Sequence, residues 1–197
     1  MAEGEIDSLT VEAMRVVPRD QFVPPALRHQ AYADRALPLE EGATISQPHV
    51  VEIMTRAIRP RPGLRVLEVG TGSGYLAALL SHIGCLVHSI EIVRALADSA
   101  RARLAQLGYG NVEIRHGDGH AGWPEAAPFD AILISAATEV VPGPLLDQLA
   151  PGGRLVAPLG KADRVQWLTL LEKEATGPLR RRVLLAVRFI PMRREVR

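Results

Sequence analysis

The chain has 197 residues, 47% of them apolar and 23% charged, with a formal net charge of +1. That balance leaves no global electrostatic case for nucleic acid or an anionic membrane, and 4% aromatic content is too little for a base-stacking surface. No apolar run approaches a membrane span, and the length predicts one domain over residues 1–197 with a full core and no need of staples.

The opening Met1-Ala2-Glu3-Gly4-Glu5 is acidic and lacks the basic and apolar regions of a leader, so a cytoplasmic protein is expected. A helix is predicted from Ile6 to Val16, with Ile6, Leu9, Val11, Met14 and Val16 only loosely at helical spacing, and Pro18 stopping it. Pro24-Pro25 opens a short helix reaching about Tyr32. Pro38 and Gly42 mark a loop, and Pro48–Ile58 reads as a helix with Val50, Val51, Met54 and Ile58 on one side. Strands and helices then alternate. Strand Arg65–Val69 leads to helix Ser73–Leu80, strand Leu86–Ile90 to helix Arg94–Leu107, strand Val112–Arg115 to the loop Gly117-Asp118-Gly119, and strand Asp130–Ser135 to a helix around Pro144–Leu149. Pro151-Gly152-Gly153 is expected to turn into strand Arg154–Pro158. Val165–Leu171 and Arg182–Phe189 flank Gly177-Pro178 as an antiparallel pair. The fold class is α/β: a doubly wound, mostly parallel sheet with helices on both faces, an N-terminal helical extension and a C-terminal antiparallel pair. Ligands in such a fold bind beyond the carboxyl ends of the strands.

The most informative run is Val66-Leu67-Glu68-Val69-Gly70-Thr71-Gly72-Ser73-Gly74-Tyr75. A buried strand breaks into a glycine turn that lets backbone approach a ligand, and a helix N-terminus follows. Glu91 ends the next apolar run, about 20 residues downstream, where a ribose-binding carboxylate belongs. The glycines alternate as G-x-G-x-G, and Tyr75 stands where a dinucleotide fingerprint has its third glycine. Glu68, just before the turn, would repel a pyrophosphate and attract an ammonium or sulfonium. The motif is similar to the first motif of class I S-adenosylmethionine-dependent methyltransferases. A nicotinamide enzyme and a turn that binds nothing remain the alternatives at this point.

Other residues read two ways. Asp118 can accept from an adenine amino group while a neighbouring N–H donates to the ring, or Asp-Gly can simply make a tight turn. Ser46, ahead of Pro48, reads most simply as an N-cap, and no G-x-S-x-G elbow marks it as a nucleophile. Cys85 allows no internal disulfide and reads as a small buried hydrophobe. His116 and His120 are four apart but glycines intervene, so no metal site is expected. Trp123 and Phe129 are expected to fill the core. The arginines at 180, 181, 182, 188, 193, 194 and 197 read as solvated strand ends and tail, with an acidic peptide or carboxylate as the sharper alternative.

Taken together, the residues resemble the protein-L-isoaspartate O-methyltransferase family over most of the chain. The resemblance is carried by Val17-Pro18-Arg19, Phe22-Val23-Pro24, Ala31-Tyr32 with Asp34, Leu37-Pro38, Thr44-Ile45-Ser46-Gln47-Pro48, the glycine motif, Gly117-Asp118-Gly119, Ala127-Pro128-Phe129-Asp130-Ala131-Ile132, Pro151-Gly152-Gly153-Arg154-Leu155 and Val187-Arg188-Phe189-Ile190-Pro191. The Thr44–Pro48 segment is the most specific of these. His49 departs from a frequent tyrosine, and Ile92 from a frequent arginine. The resemblance implies methyl transfer from S-adenosyl-L-methionine, leaving S-adenosyl-L-homocysteine, to the free carboxylate of L-isoaspartyl and, less well, D-aspartyl residues in damaged proteins and peptides. It implies Ser46 as the active-site serine, Thr44, Ile45 and Val51 as pocket lining, Glu68 before the turn, Gly70, Gly72 and Ser73 at the methionine part, Glu91 at the ribose and Asp118-Gly119 at the adenine. Residues 1–60 then carry the serine, 61–160 form the cofactor core and 161–197 add strands. A monomer is expected.

The chemistry implied is light on proton transfer. A carboxylate is already ionised at neutral pH and needs no general base. The cofactor carries the hard chemistry, so the protein supplies placement and a drier site. Ser46 is then expected to orient one carboxylate oxygen as a hydrogen-bond donor. Competing readings are a dedicated methyltransferase for one peptide product and a module that holds the cofactor without turnover.

Overall fold

The computed structural model describes residues 3–161, 163–174 and 176–194; Arg197 of the basic tail lies outside them. Helix α1 (Glu3–Val16) starts earlier than the hydrophobic spacing suggests and ends two residues before Pro18. Its inward stripe is Ile6, Thr10, Ala13 and Val17, all buried, whereas Val11 and Val16 are about half exposed. The steps of four and three place that stripe on one face, so Thr10 and Ala13 join Ile6 and Val17 in the contact while Val11 and Val16 fall outside it. The expected short helix after Pro24 forms as a 3-10 turn, Pro25–Gln30, preceded by another at Arg19–Phe22.

The expected loop around Pro38 and Gly42 contains a small sheet. Strands β1 (Leu37–Pro38) and β2 (Thr44–Ile45) pair antiparallel, Leu37 opposite Ile45. Two residues per strand leave no periodicity for sequence reasoning to detect. Helix α2 (Pro48–Ala57) follows as expected. Its N-cap is Gln47, not Ser46, and no side chain of the cap closes it. Asp34 does so from a distance: Oδ1 accepts from the His49 backbone N–H at 3.1 Å and Oδ2 from the Gln47 amide at 3.0 Å. These two bonds hold the Asp34 carboxyl below its ordinary range.

The main sheet contains β3 (Arg65–Val69), β4 (Leu86–Glu91), β5 (Val112–His116), β6 (Phe129–Ile134), β7 (Leu149–Leu159), β8 (Gln166–Glu172) and β9 (Arg180–Val187). Its order is β5-β4-β3-β6-β7-β8-β9, parallel from β5 to β7 and antiparallel across β8 and β9. The chain steps outward from β3 to β4 and β5, then returns to β6 on the other side of β3. The direction therefore reverses at the carboxyl end of β3, where a ligand crevice opens. β7 begins five residues before Arg154, because the expected Pro151–Gly153 turn is absorbed as an irregularity in the β6–β7 ladder.

Alternating strand residues feed two cores. Val66, Leu133 and Val156 join α1, α2, α3 (Tyr75–Ile83) and α4 (Arg94–Gln106) on one face. Leu67, Ile132, Ile134 and Leu155 join α5 (Gly143–Gln148), Trp123 and Phe129 on the other. Cys85 is buried in the first core, and burial pushes its thiol up to about 11. No helix of the described residues is long and apolar enough to cross a membrane.

Candidate active site

The glycine turn sits at the carboxyl end of β3. Gly70, Gly72 and Gly74 have φ of 97°, 52° and 85°, a left-handed conformation that a Cβ disfavours. Gly70 N–H donates to the Ile90 carbonyl at 2.8 Å, and Gly74 N–H to the Thr71 carbonyl at 2.8 Å. The left-handed Gly74 excludes Ser73 from helix α3, which starts at Tyr75 and not at Ser73 as predicted. A Cβ on Gly74 would also stand 3.3 Å from Leu104 Cδ1, so this glycine lets the turn lie against α4.

Two acids brace the turn. Glu91, at the end of β4, accepts from the Gly72 N–H at 2.8 Å through Oε2 and from the Val93 N–H at 3.1 Å through Oε1. Each carboxylate oxygen keeps a lone pair for a further donor. Glu68, opposite Ser89 in the β3–β4 register, is 1% exposed. Burial pushes its carboxyl up to about 8; the Ser89 hydroxyl, 2.5 Å from Oε2, opposes that rise, and the Glu91 charge adds to it. Thr71 and Ser89 hydroxyls lie 2.6 Å apart. With Glu68 ionised, Ser89 donates to it and Thr71 donates to Ser89. An acid poised in this way is stabilised as a carboxylate by an incoming cation.

A cavity opens over the turn. Ser46, Thr44, Ile45, Val51, Glu68, Gly70, Gly72, Ser73, Glu91 and Gly119 all line it. Asp118 does not: its Oδ1 caps the short turn after β5, accepting from the His120 N–H at 2.9 Å and lying 2.7 Å from the His120 ring nitrogen. Gly119 is required for close approach, because a Cβ there would stand 2.4 Å from Val69 Cγ1.

Sequence reasoning missed several lining residues. Met54 comes from the buried side of α2, and Ile190, Pro191, Met192 and Arg193 come from the tail after β9. That tail is pinned over the carboxyl end of β6, with Ala137 N–H donating to the Ile190 carbonyl at 2.7 Å and Met192 N–H to the Ala137 carbonyl at 2.8 Å. The Val187–Pro191 motif was the available signal, but nothing local says that it crosses the sheet. Ser46 itself is half-buried, and its carbonyl accepts from Arg19 Nη2 at 2.8 Å.

Known proteins match this chain in sequence and in fold. The family model described as Protein-L-isoaspartate(D-aspartate) O-methyltransferase matches residues 3–197. Protein-L-isoaspartate O-methyltransferase 2 of Anaeromyxobacter sp. (strain Fw109-5) is 51% identical over 193 residues, covering 98% of this chain and 79% of that protein. A solved protein-L-isoaspartate O-methyltransferase superposes with a TM-score of 0.83 at 30% identity, covering 96% of this chain; the chain spans 65% of that structure. A Plasmodium falciparum protein, described as a beta-aspartate methyltransferase and crystallised with S-adenosyl-L-homocysteine, gives 0.81 at 25% identity, covering 95% of this chain and 91% of its own. The parallel sheet, the glycine turn over a buried acid and the serine facing it thus come together with a match over nearly the whole sequence: the chain belongs to the protein-L-isoaspartate(D-aspartate) O-methyltransferase family.

Proposed function

We propose that the protein methylates the free carboxylate of L-isoaspartyl residues, and less well of D-aspartyl residues, in damaged proteins and peptides, opening a route back to aspartate through a succinimide. The observation that carries this reading is that Ser46 and the glycine turn line one cavity. S-adenosyl-L-methionine, when bound, supplies a methyl carbon already activated by its sulfonium. The residues present suit it. Glu68 offers a buried acid to a cation, Glu91 offers free lone pairs to ribose hydroxyls, and Gly72 leaves its side of the cavity open, the nearest side-chain atom to a Cβ there being Leu39 Cδ1 at 3.9 Å.

The chain's own work is placement. Gly70, Gly72 and Ser73 present backbone to the methionine end, and Thr44, Ile45 and Val51 wall the cavity. Asp118-Gly119 takes the adenine end, with Gly119 as the lining residue and Asp118 shaping the turn through His120. Ser46 Oγ donates to one oxygen of the acceptor carboxylate and turns the other toward the methyl carbon. No proton needs to move, because the acceptor is ionised at neutral pH. Excluding water and fixing the angle of approach raise the effective concentration of the reacting pair.

Residues 1–60, 61–160 and 161–197 act as one unit, a monomer in the cytoplasm. The lone buried Cys85 suits a reducing compartment. Incubation with methyl-labelled cofactor and an isoaspartyl peptide beside its aspartyl twin tests the function. Selective labelling of the isoaspartyl peptide is expected. Labelling of neither peptide, or of both equally, overturns it.

A further inference from the structure

Arg19 is 1% exposed, and no ion pair holds it among the described residues. A buried guanidinium without a carboxylate is a costly arrangement that survives only where its donors find other partners. Here Nε donates to the Ala31 carbonyl at 2.7 Å and Nη2 to the Ser46 carbonyl at 2.8 Å. Its Cζ stands 4.9 Å from the centre of the Tyr75 ring, and Nη1 is buried without a partner. Burial draws the guanidinium's pKa down from its ordinary value, and the Tyr75 phenol acts against that shift.

One side chain thus joins three segments. Ala31 follows the second 3-10 turn, Ser46 lies between β2 and α2, and Tyr75 is the first residue of α3 after the glycine turn. Ser46 and Tyr75 line the cavity, while Arg19 does not. A planar fork that meets two carbonyls and lies near a ring is a shape lysine cannot copy.

We propose that Arg19 is a positioning residue for methyl transfer, holding the Ser46 backbone at a set distance from the glycine turn through its grip on the Ser46 carbonyl and its contact with Tyr75. The proposal rests on the role given to Ser46 above. Arg19 stands behind the cavity wall and does not line it, so it acts through the serine.

A double-mutant cycle tests it. Arg19→Gln, Ser46→Ala and the double variant are assayed with an isoaspartyl peptide, and their affinity for S-adenosyl-L-homocysteine is measured by calorimetry. Arg19→Gln alone should lower kcat about 10- to 100-fold, the cost of a displacement on the order of 1 Å, with product affinity within about twofold of the parent. In the Ser46→Ala background the same change should cost about threefold or less. Arg19→Lys, which keeps the charge without the fork, should fall between parent and Arg19→Gln. An equal loss in both backgrounds, an unchanged kcat, or a loss of product affinity matching the loss of rate overturns the proposal. If Ser46→Ala runs at the parent rate, the serine reading fails first and this one with it. If Arg19→Gln does not melt cooperatively, the cycle is run with Arg19→Lys; if neither variant folds, Arg19 is a stabilising residue and the proposal is overturned.

Discussion

Two segments face each other across the cavity, and they are held in different ways. The glycine turn is fixed mainly by backbone: Gly70 and Gly74 bond to main-chain carbonyls, and a single side chain, Glu91 on the adjoining strand, takes the Gly72 N–H. The serine segment has a main-chain pairing of β2 with β1 before it, but the serine itself is fixed by side chains from elsewhere: Arg19 reaches its carbonyl across 27 residues, and Asp34 closes the helix behind it. A backbone-held turn survives the loss of most single side chains. A segment held by a guanidinium and a carboxylate depends on each, so the second region is where one substitution can shift geometry without unfolding the protein.

Four experiments sharpen or break this contrast. The largest effect is expected for Ser46→Ala. Losing a hydrogen bond to a charged acceptor removes about 1.5–3 kcal/mol, or roughly 10- to 150-fold in kcat, with cofactor affinity nearly intact. A parallel loss of cofactor affinity would place the serine on the cofactor side of the cavity.

Glu91→Ala acts on the other region. It removes the acceptor for two backbone N–H groups as well as the ribose partner, so cofactor affinity should fall by about tenfold or more. Affinity equal to the parent in calorimetry would falsify the ribose assignment. Gly74→Ala tests the turn itself. A left-handed alanine costs about 1–2 kcal/mol, and its Cβ would press on Leu104, so Tm should drop by roughly 2–8 °C for a chain of this size. An unchanged Tm would mean that the turn can relax.

The last test concerns Glu68 and is read as a slope against pH. Its folded pKa is raised to about 8 from 4.5 by burial. Its contribution to stability is therefore full below about pH 4.5 and is lost as pH rises through about 8, because the unfolded chain ionises first. A bound cation favours the ionised form and reverses the trend for affinity. Between pH 6 and 8 the ligand-free protein should lose Tm while cofactor affinity rises, and Glu68→Gln should flatten both curves. Identical slopes in parent and variant would show that the pH dependence arises elsewhere.

The core of the fold could be read in the sequence because its signals are local. Arg65–Val69 forms a strand with the expected bounds, and glycines at 70, 72 and 74 can take backbone angles that other residues avoid. Glu91 could be placed by counting along alternating strands and helices. Where the reading erred, the decisive partner was distant. The inward face of α1 is chosen by its contacts with α2 and α3, which keep Ile6 and leave Val11 and Val16 outside. Ser46 lacks a capping role because Asp34, twelve residues upstream, fills it.

Sequence alone determined the α/β order, the glycine bend, the acids beside it and the family, since each depends on residue type at fixed spacing along one stretch of chain. Tertiary structure alone decided that Ile190–Arg193 closes the cavity, that Arg19 holds Ser46, and that Glu68 is buried deeply enough to shift its ionisation. Those outcomes depend on desolvation and on contacts between segments far apart in the chain, and neither quantity exists until the chain has folded.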